Sequence, residues 1–455
     1  MVSSKKTEAR FSTDQLLQLL TQQCRIEAGA TLKLALSGGI DSMVLLHALS
    51  RLGKKQQWRI SAIHIDHGLH PQSSQWSQHC LEQCRKLGID CHVEKVEVDR
   101  KSKEGLEAAA RRVRYTALRQ YVDSGEYLLT GHHADDQAET LLLQLMRGSG
   151  VHGLAGMPMQ KRWARAFLLR PLLHVRRAAL LQYAKEHKLQ WIDDPSNTEP
   201  RFSRNYLRQE IMPLLQQHWP QANESLLRTA AHAADAVALL DALAATDFRY
   251  CQLLDRSGLC ISELLRLSRQ RMHHVLRYWF RQNHMNYPSK RRIEELTRFL
   301  QHKPESNQAQ LRWDHVRVCR YRDRLVVFRQ DMEADPNLVL PWQPEGPSVD
   351  VPGTSWLLSA VRVVGQGLAL ERLKKAAVSV RLRRGGEQCR LPGRRHRSQL
   401  KKLLQQAEIP PWERVNLPLI YVGEELAAVA DLWVCAPFQA KKGEPGLLPV
   451  LRRSN

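Results

Sequence analysis

Short apolar runs alternate with helix-length segments four times within the first 150 residues, and no other feature of the chain narrows its fold as far. The runs are 32–36 (LKLAL), 58–66 (WRISAIHID), 91–98 (CHVEKVEV) and 127–130 (YLLT). Each leads into a helical pattern: Met43, Leu45, Leu46 and Leu49 after the first, then 73–87, then 105–121 (GLEAAARRVRYTALRQY), then 135–147 (DDQAETLLLQLMR). Parallel strands cannot be joined by tight hairpins and need a crossover long enough for a helix. The alternation therefore predicts an α/β fold with a doubly wound parallel sheet of Rossmann-like type.

The pattern changes downstream. From about 204 to 245 it is wholly helical, and 229–246 (TAAHAADAVALLDALAAT) has neither Pro nor Gly. That stretch predicts a long connecting helix. Residues 247–330 form a small α-rich unit ending in strands. A Pro- and acid-containing segment, 331–353, predicts a linker, and 354–455 a small α+β module with one helix near 396–407. The expected domains are an α/β catalytic domain at 1–220, a linker helix at 221–246, a helical middle domain at 247–335 and a C-terminal module at 354–455.

Charge narrows the function. Lys and Arg number 68 against 46 Asp and Glu, a net +22. A polyanionic partner is expected, and an acidic solvating chain is excluded. The net charge is +9 over 1–220, +8 over 221–330 and +5 over 331–455. Its densest patch is 381–402, where Arg381, Arg383, Arg384, Arg390, Arg394, Arg395, Arg397, Lys401 and Lys402 face a single acid, Glu387. No apolar run reaches 18 residues, so no membrane span is expected. The start, MVSSKKTEAR, does not have the form of a secretory signal. Nine cysteines, odd in number and sparse, argue against a disulfide framework and for a reducing cytoplasm. Cys80, Cys84 and Cys91 beside His79 are either small buried hydrophobes or metal ligands.

The strongest chemical signal is Ser37-Gly38-Gly39-Ile40-Asp41-Ser42, set between an apolar strand and a helix. Two glycines let the backbone approach an anion, and a helix start aims free N–H groups at it. Asp41 would repel phosphate unless Mg²⁺ lay between them. An ordinary capped strand-to-helix turn is the plain alternative. No G-K-[ST] follows, so this is not a Walker loop. The string matches the PP-loop of the N-type ATP pyrophosphatases. That resemblance implies cleavage of ATP between its α- and β-phosphates, with Ser37, Gly38, Gly39, Ile40, Asp41 and Ser42 around the nucleotide.

A second constellation, Gly131-His132-His133-Ala134-Asp135-Asp136-Gln137-Ala138-Glu139-Thr140, begins where the fourth strand ends and opens a helix. In open α/β sheets the ligand lies at such strand ends, so it can face the first loop. His133, Asp136 and Glu139 are spaced by three, roughly one helical face. They could bind Mg²⁺, hold an amine or accept its proton. A capped helix with solvated acids is the alternative for any one of them.

H-x-D-D-Q-x-E-T after a PP-loop resembles the tRNA(Ile)-lysidine synthetase family. Ile65-Asp66-His67-Gly68-Leu69, the 107–115 segment (EAAARRVRY), Asp194-Pro195-Ser196-Asn197, Arg204-Asn205 with Arg208, and Pro410-Pro411-Trp412 agree with it. The resemblance spans nearly the full length and is weakest over 247–370. It implies joining of L-lysine to C2 of the wobble cytidine of tRNA(Ile) through an adenylated base, with ATP and Mg²⁺ as reagents. It implies Asp41, His133, Asp136 and Glu139 as catalytic residues, Asp41 and Asp136 as metal ligands, and Arg111 and Arg204 on ATP phosphates, with Arg114 a further phosphate or RNA contact. It places Arg384, Arg394, Arg395, Arg397 and Lys401 on tRNA. His67 and His70 are expected to be structural. No stable protein partner is implied, and a homo-oligomer stays open. A tRNA thiolase would need C-x-x-C pairs, which are missing, and a non-catalytic RNA-binding protein would not keep both acidic sets.

Overall fold

Leu32, Leu34 and Leu36 are almost wholly removed from water, and the strand they define becomes the middle of a sheet. The computed structural model describes residues 10–99, 101–102, 105–163, 165–195, 203–255, 257–302, 309–329, 335–354 and 356–453. It divides into two compact units, with the boundary between Leu240 and Asp241.

In the first unit, α1 (Thr13–Gln18) precedes β1 (Thr31–Ala35), α2 (Ile40–Gln56), β2 (Arg59–Asp66), α3 (Ser73–Lys86), β3 (Asp90–Lys95), α4 (Leu106–Gln120), β4 (Tyr127–Leu129) and α5 (Ala134–Met146). The four expected strand–helix pairs are all present. A short α6 (Val151–Leu154), an antiparallel pair β5 (Gln160–Trp163) and β6 (Ala166–Leu169), and α7 (Arg177–Glu186) follow. The strand order is β3-β2-β1-β4-β6-β5. All neighbours run parallel except β5 against β6.

One face of this sheet is closed by the core that holds α2, α3 and α7, with Val44, Leu45, Leu46, Leu49, Cys80, Cys84 and Leu180 buried together. The other face packs Ile63, Ile65, Leu128 and Leu168 against Ala117 and Leu118 of α4. Lys33, on β1, crosses that apolar surface with its stem and ends on Glu126 at 2.8 Å. The loops after β1, β2, β4 and β6 all leave the sheet at its carboxyl edge, where the functional residues collect. The sequence reading stopped at the fourth helix and missed β6 and the loop it delivers. Short α8 (Ser203–Tyr206) and α9 (Met212–His218) then lead into α10 (Ala222–Cys251), longer than the connecting helix expected over 229–246.

In the second unit α11 (Ile261–Arg266), α12 (Arg269–Gln282) and α13 (Lys290–Gln301) pack on a four-stranded sheet of β7 (Leu259–Cys260), β8 (Gln310–Trp313), β9 (Val316–Tyr321) and β10 (Arg324–Arg329). Val275, Leu276, Phe280, Leu296 and Leu325 are its centre. The expected linker over 331–353 is not bare. Val339–Pro341 pairs with Val378–Arg381, and Val349–Val351 pairs with Trp356–Val364. Residues before 354 therefore already belong to the sheets of the C-terminal module. The helix expected near 396–407 is Leu400–Gln406. Trp412 sets its ring edge-on to Tyr321 and Phe328, and Arg414 donates to the Tyr321 hydroxyl at 3.3 Å. Pro410-Pro411-Trp412 is thus the seat of the C-terminal module on the β9–β10 hairpin.

Cys389 and Cys435 are joined by a disulfide, with Cα atoms 5.7 Å apart, while the other seven cysteines are free, so there is one bridge and no disulfide framework. They meet because both lie in the core of the C-terminal module, 46 residues apart in sequence. Cys80 and Cys84 are buried in the core of the first unit. Among the described residues no group of three or more His, Cys, Asp or Glu is placed to hold a metal ion. Among them, too, no helix is long and apolar enough to cross a membrane.

Candidate active site

Two loops meet at the carboxyl edge through a glycine. A Cβ on Gly131 would lie 3.1 Å from the Asp41 carbonyl carbon and the Ser42 nitrogen, so a larger residue would push the β4 loop off the start of α2. This close approach brings the two chemical motifs together.

The first loop is an anion cradle. Gly38 has φ +83°, and a side chain there would strike Ile192 Cδ1 at 2.5 Å. Gly39 is the N-cap of the 17-residue α2 and supplies no side-chain cap. The first N–H groups of that helix stay free for an outside anion. The Ser37 and Ser42 hydroxyls lie 3.1 Å apart, and Ser42 donates to the Gly39 carbonyl at 2.8 Å. Ile40 is buried in the core beneath the loop.

The second loop holds an imidazole among carboxylates. His133 is the N-cap of α5 and forms a capping box with Asp136: the His133 N–H donates to Asp136 Oδ2 at 3.0 Å, and the Asp136 N–H to His133 Nδ1 at 3.4 Å. His133 Nε2 lies 3.6 Å from Asp41 Oδ2 and 3.5 Å from Asp136 Oδ2. Burial raises the Asp41 carboxyl above its ordinary range; His133 opposes that shift and Asp136 adds to it. Burial would also raise Asp136, but the charge and N–H of His133 hold it below the usual range. Asp41 Oδ1 is buried and has no hydrogen-bond partner among the described residues. Asp135 plays another part. It accepts the Arg177 N–H at 2.9 Å and Asn223 Nδ2 at 2.7 Å, which caps α7 and ties in α10.

Glu139, 2% exposed, is held by two arginines from the segment after α7. Arg208 donates to both its oxygens, at 2.7 and 3.0 Å, and to Asp136 Oδ1 at 3.0 Å. Arg204 Nε lies 3.5 Å from Glu139, and its Nη2 donates to Thr140 at 3.0 Å. Burial raises the Glu139 carboxyl; Arg208 counteracts this. Arg208 stands in the quoted R-N-x-x-R segment, yet its role was not legible there, because only the fold shows that it spans two carboxylates from α5. Ser196 and Asn197 lie outside the described residues.

Arg111 and Arg114 of α4 differ from Arg204 and Arg208. Neither makes a salt bridge to a described residue. Their guanidinium carbons lie 5.1 and 5.7 Å from the centre of the Tyr115 ring. His67 sits near Arg114; burial and that charge push its imidazole down to about 4. His132 is pushed down to about 3 by burial, with Arg170, Arg111 and Arg114 nearby, so it is neutral at physiological pH. His70 stacks on Trp76 with ring centroids 4.7 Å apart.

The basic run of the C-terminal module separates into two sets. Arg381 is bidentate on Glu424, Arg383 lies 3.4 Å from Glu387, and Arg384 donates to the carbonyls of Pro336 and Asn337. Arg394, Arg395, Arg397 and Lys401 are exposed and make no salt bridge to a described residue.

Comparison with known proteins fits this geometry. Residues 9–215 match the model of a PP-loop domain, 259–326 that of a TilS substrate binding domain, and 378–451 that of a TilS substrate C-terminal domain. A tRNA(Ile)-lysidine synthase from Alkalilimnicola ehrlichii is 43% identical over 90% of this chain and 91% of its own. One from Coxiella burnetii is 36% identical over 96% of both. The chain belongs to the tRNA(Ile)-lysidine synthase family. It is an enzyme, an ATP-dependent ligase of the PP-loop class, as the sequence resemblance implied. Among solved structures, a U34-tRNA thiolase from Methanococcus maripaludis matches 48% of this chain and 76% of its own at 17% identity, with a TM-score of 0.41. Of the residues expected at the nucleotide, the cradle and Asp41 lie at the start of α2, His133, Asp136 and Glu139 along the first turns of α5, Arg204 beside Glu139, and Arg111 against Tyr115 of α4.

Proposed function

We propose that the protein joins L-lysine to C2 of the wobble cytidine in the CAU anticodon of tRNA(Ile), by way of a cytidine adenylated at O2, releasing pyrophosphate and then AMP. The observation that carries this reading is the contact at Gly131, which sets an anion cradle directly against a buried His–Asp pair. Phosphate chemistry and amine chemistry then share one small site.

The cradle N–H groups and Arg204 would meet the phosphate charge that develops as pyrophosphate departs. Arg111 is a further candidate for ATP. Mg²⁺ fits the donor set in part. Asp41 has a buried carboxylate oxygen with no partner, whereas both Asp136 oxygens are taken by Arg208 and the His133 N–H. Asp41 would hold the ion, and Asp136 would join it only by releasing Arg208. Bound there with substrate phosphates as its other ligands, Mg²⁺ would offset the charge of Asp41 and the phosphates.

The attacking ε-amine has a pKa of about 10.4 in water and arrives protonated. Asp136, held ionised, seats the ammonium, and its proton passes to the His133–Asp136 pair. Glu139, covered on both oxygens by Arg208, is a positioning residue rather than the base. The wobble base lies in a single-stranded loop and can enter the site without breaking a duplex. Arg394, Arg395, Arg397 and Lys401 hold the tRNA body by phosphate contacts, with Arg384 at their edge. A cytoplasmic enzyme follows from a tRNA substrate. The test follows pyrophosphate and AMP release with ATP, lysine and tRNA(Ile), omitting each in turn. Pyrophosphate released without RNA, or sustained AMP release without lysine, counts against the reading.

A further inference from the structure

Among the described residues Arg170 is the most deeply buried arginine, and no described acid pairs with it. It follows β6, is 3% exposed, and makes no salt bridge to a described residue. Its Nη1 donates to the Pro158 carbonyl at 2.7 Å, while its Nε is buried with no partner. Around it stand more cations. Arg111 and Arg114 crowd Tyr115, whose ring meets Trp163 edge-on. Lys161 of β5 is close enough for Arg170 and Arg111 to lower its pKa, after burial. Glu107, on the same helix, is the carboxylate that partly offsets the charge around Arg114 among the described residues. His132, which senses both Asp136 and Arg170, is neutral.

A buried charge without a counterion is costly unless a ligand supplies one. Arg204 and Arg208, a few residues away in space, have their counterions already. The loop after β6 also opens on the same sheet edge as the PP-loop, on the far side of β4 from β1.

We propose that Arg170, Arg111, Arg114 and Lys161 form a second oxyanion pocket, distinct from the PP-loop, that takes a phosphate group during the reaction. This rests on the proposed function for its substrates. Two sources carry such a group: the RNA backbone beside the reacting cytidine, and the terminal phosphates of ATP.

The experiment titrates wild type, Arg170→Gln and Arg111→Gln with an anticodon stem–loop RNA at several salt concentrations, and separately with ATP and inorganic pyrophosphate. Arg111 is only half-buried, so its variant serves where Arg170→Gln does not fold; circular dichroism checks both. The expected result is a loss of RNA affinity of about tenfold or more in both variants, with a salt slope shallower by about one, and an ATP affinity that Arg170→Gln leaves unchanged. Loss of ATP and pyrophosphate affinity with RNA binding intact assigns the same pocket to the nucleotide. Folded variants that bind all three probes like wild type overturn the pocket. A wild-type protein that binds neither RNA nor ATP would instead count against the proposed function.

Discussion

The basic groups of the catalytic edge and those of the C-terminal run do opposite things with the same charge. At the edge, Arg204 and Arg208 are partly buried and tied to Glu139 and Asp136 at 2.7–3.5 Å. In the run, Arg394, Arg395, Arg397 and Lys401 stand in water with no ion pair to a described residue. A buried ion is expensive to leave alone, so each edge arginine is specific and hard to replace. An exposed one acts mainly through the summed field, so its neighbours share the work and salt weakens them all. Net charge is one number in the composition but two kinds of interaction in the molecule.

The sharpest way to break that contrast is at the centre of the edge. Asp41→Ala removes the one site carboxylate with an unpartnered buried oxygen. Lysidine formation is expected to fall by about a thousandfold or more, as for loss of a principal electrostatic group, with the thermal melt unchanged. Turnover near wild type would dismantle the assignment. Arg208→Met should act on stability as well as rate. It strands Glu139 and Asp136 together, and breaking a buried pair from one side costs about 3 kcal/mol or more. Adding Glu139→Gln to it should recover part of that loss in denaturant melts. Equal stability of the single and double variants would mean the three groups are not coupled.

Reversing Arg394, Arg395 and Arg397 to Glu together should weaken tRNA binding while ATP affinity stays as it was. The salt slope should drop by about one per lost phosphate contact. Each single reversal should do proportionately less, which is the signature of a shared field. Unaltered tRNA affinity in a filter-binding titration would remove the run from the RNA surface. The smallest effect concerns His132. Its folded pKa of about 3 lies below the ordinary histidine value, so the unfolded chain binds the extra proton between the two. Its contribution to stability is complete above about 6.5 and is lost as pH falls from there toward 3, by at most about 1.4 kcal/mol per pH unit. His132→Asn should flatten the acid limb of stability against pH. An identical limb would place its titration elsewhere.

The alternation of strands and helices, the PP-loop and the H-x-D-D-Q-x-E-T string were legible because each is local. A strand turning into a helix needs glycines and a cap within six residues, and a capping box needs two residues three apart. Ser37 to Ser42 and His133 with Asp136 could therefore be read without a partner segment. The disulfide, the strands hidden in 331–353 and the loop after β6 were not legible. Cys389 meets Cys435 only through the core between them, and Val339–Pro341 becomes a strand only because Val378–Arg381 lies beside it. Arg170 had a faint signal, a lone charge in the apolar run AFLLRPLL.

By itself the sequence determined the α/β class, the anion cradle and which carboxylates border it, since periodicity and backbone geometry act over a few residues. Tertiary structure alone decided which charges are neutralised. Glu139 and Asp136 take Arg208 from a segment about 70 residues on, while Arg170 is buried with no counterion among the described residues. Burial and counterion distance are properties of the folded surface, and Coulomb energy depends on both, so no reading of residue types along the chain could have separated the arginines that hold the site from those that await a ligand.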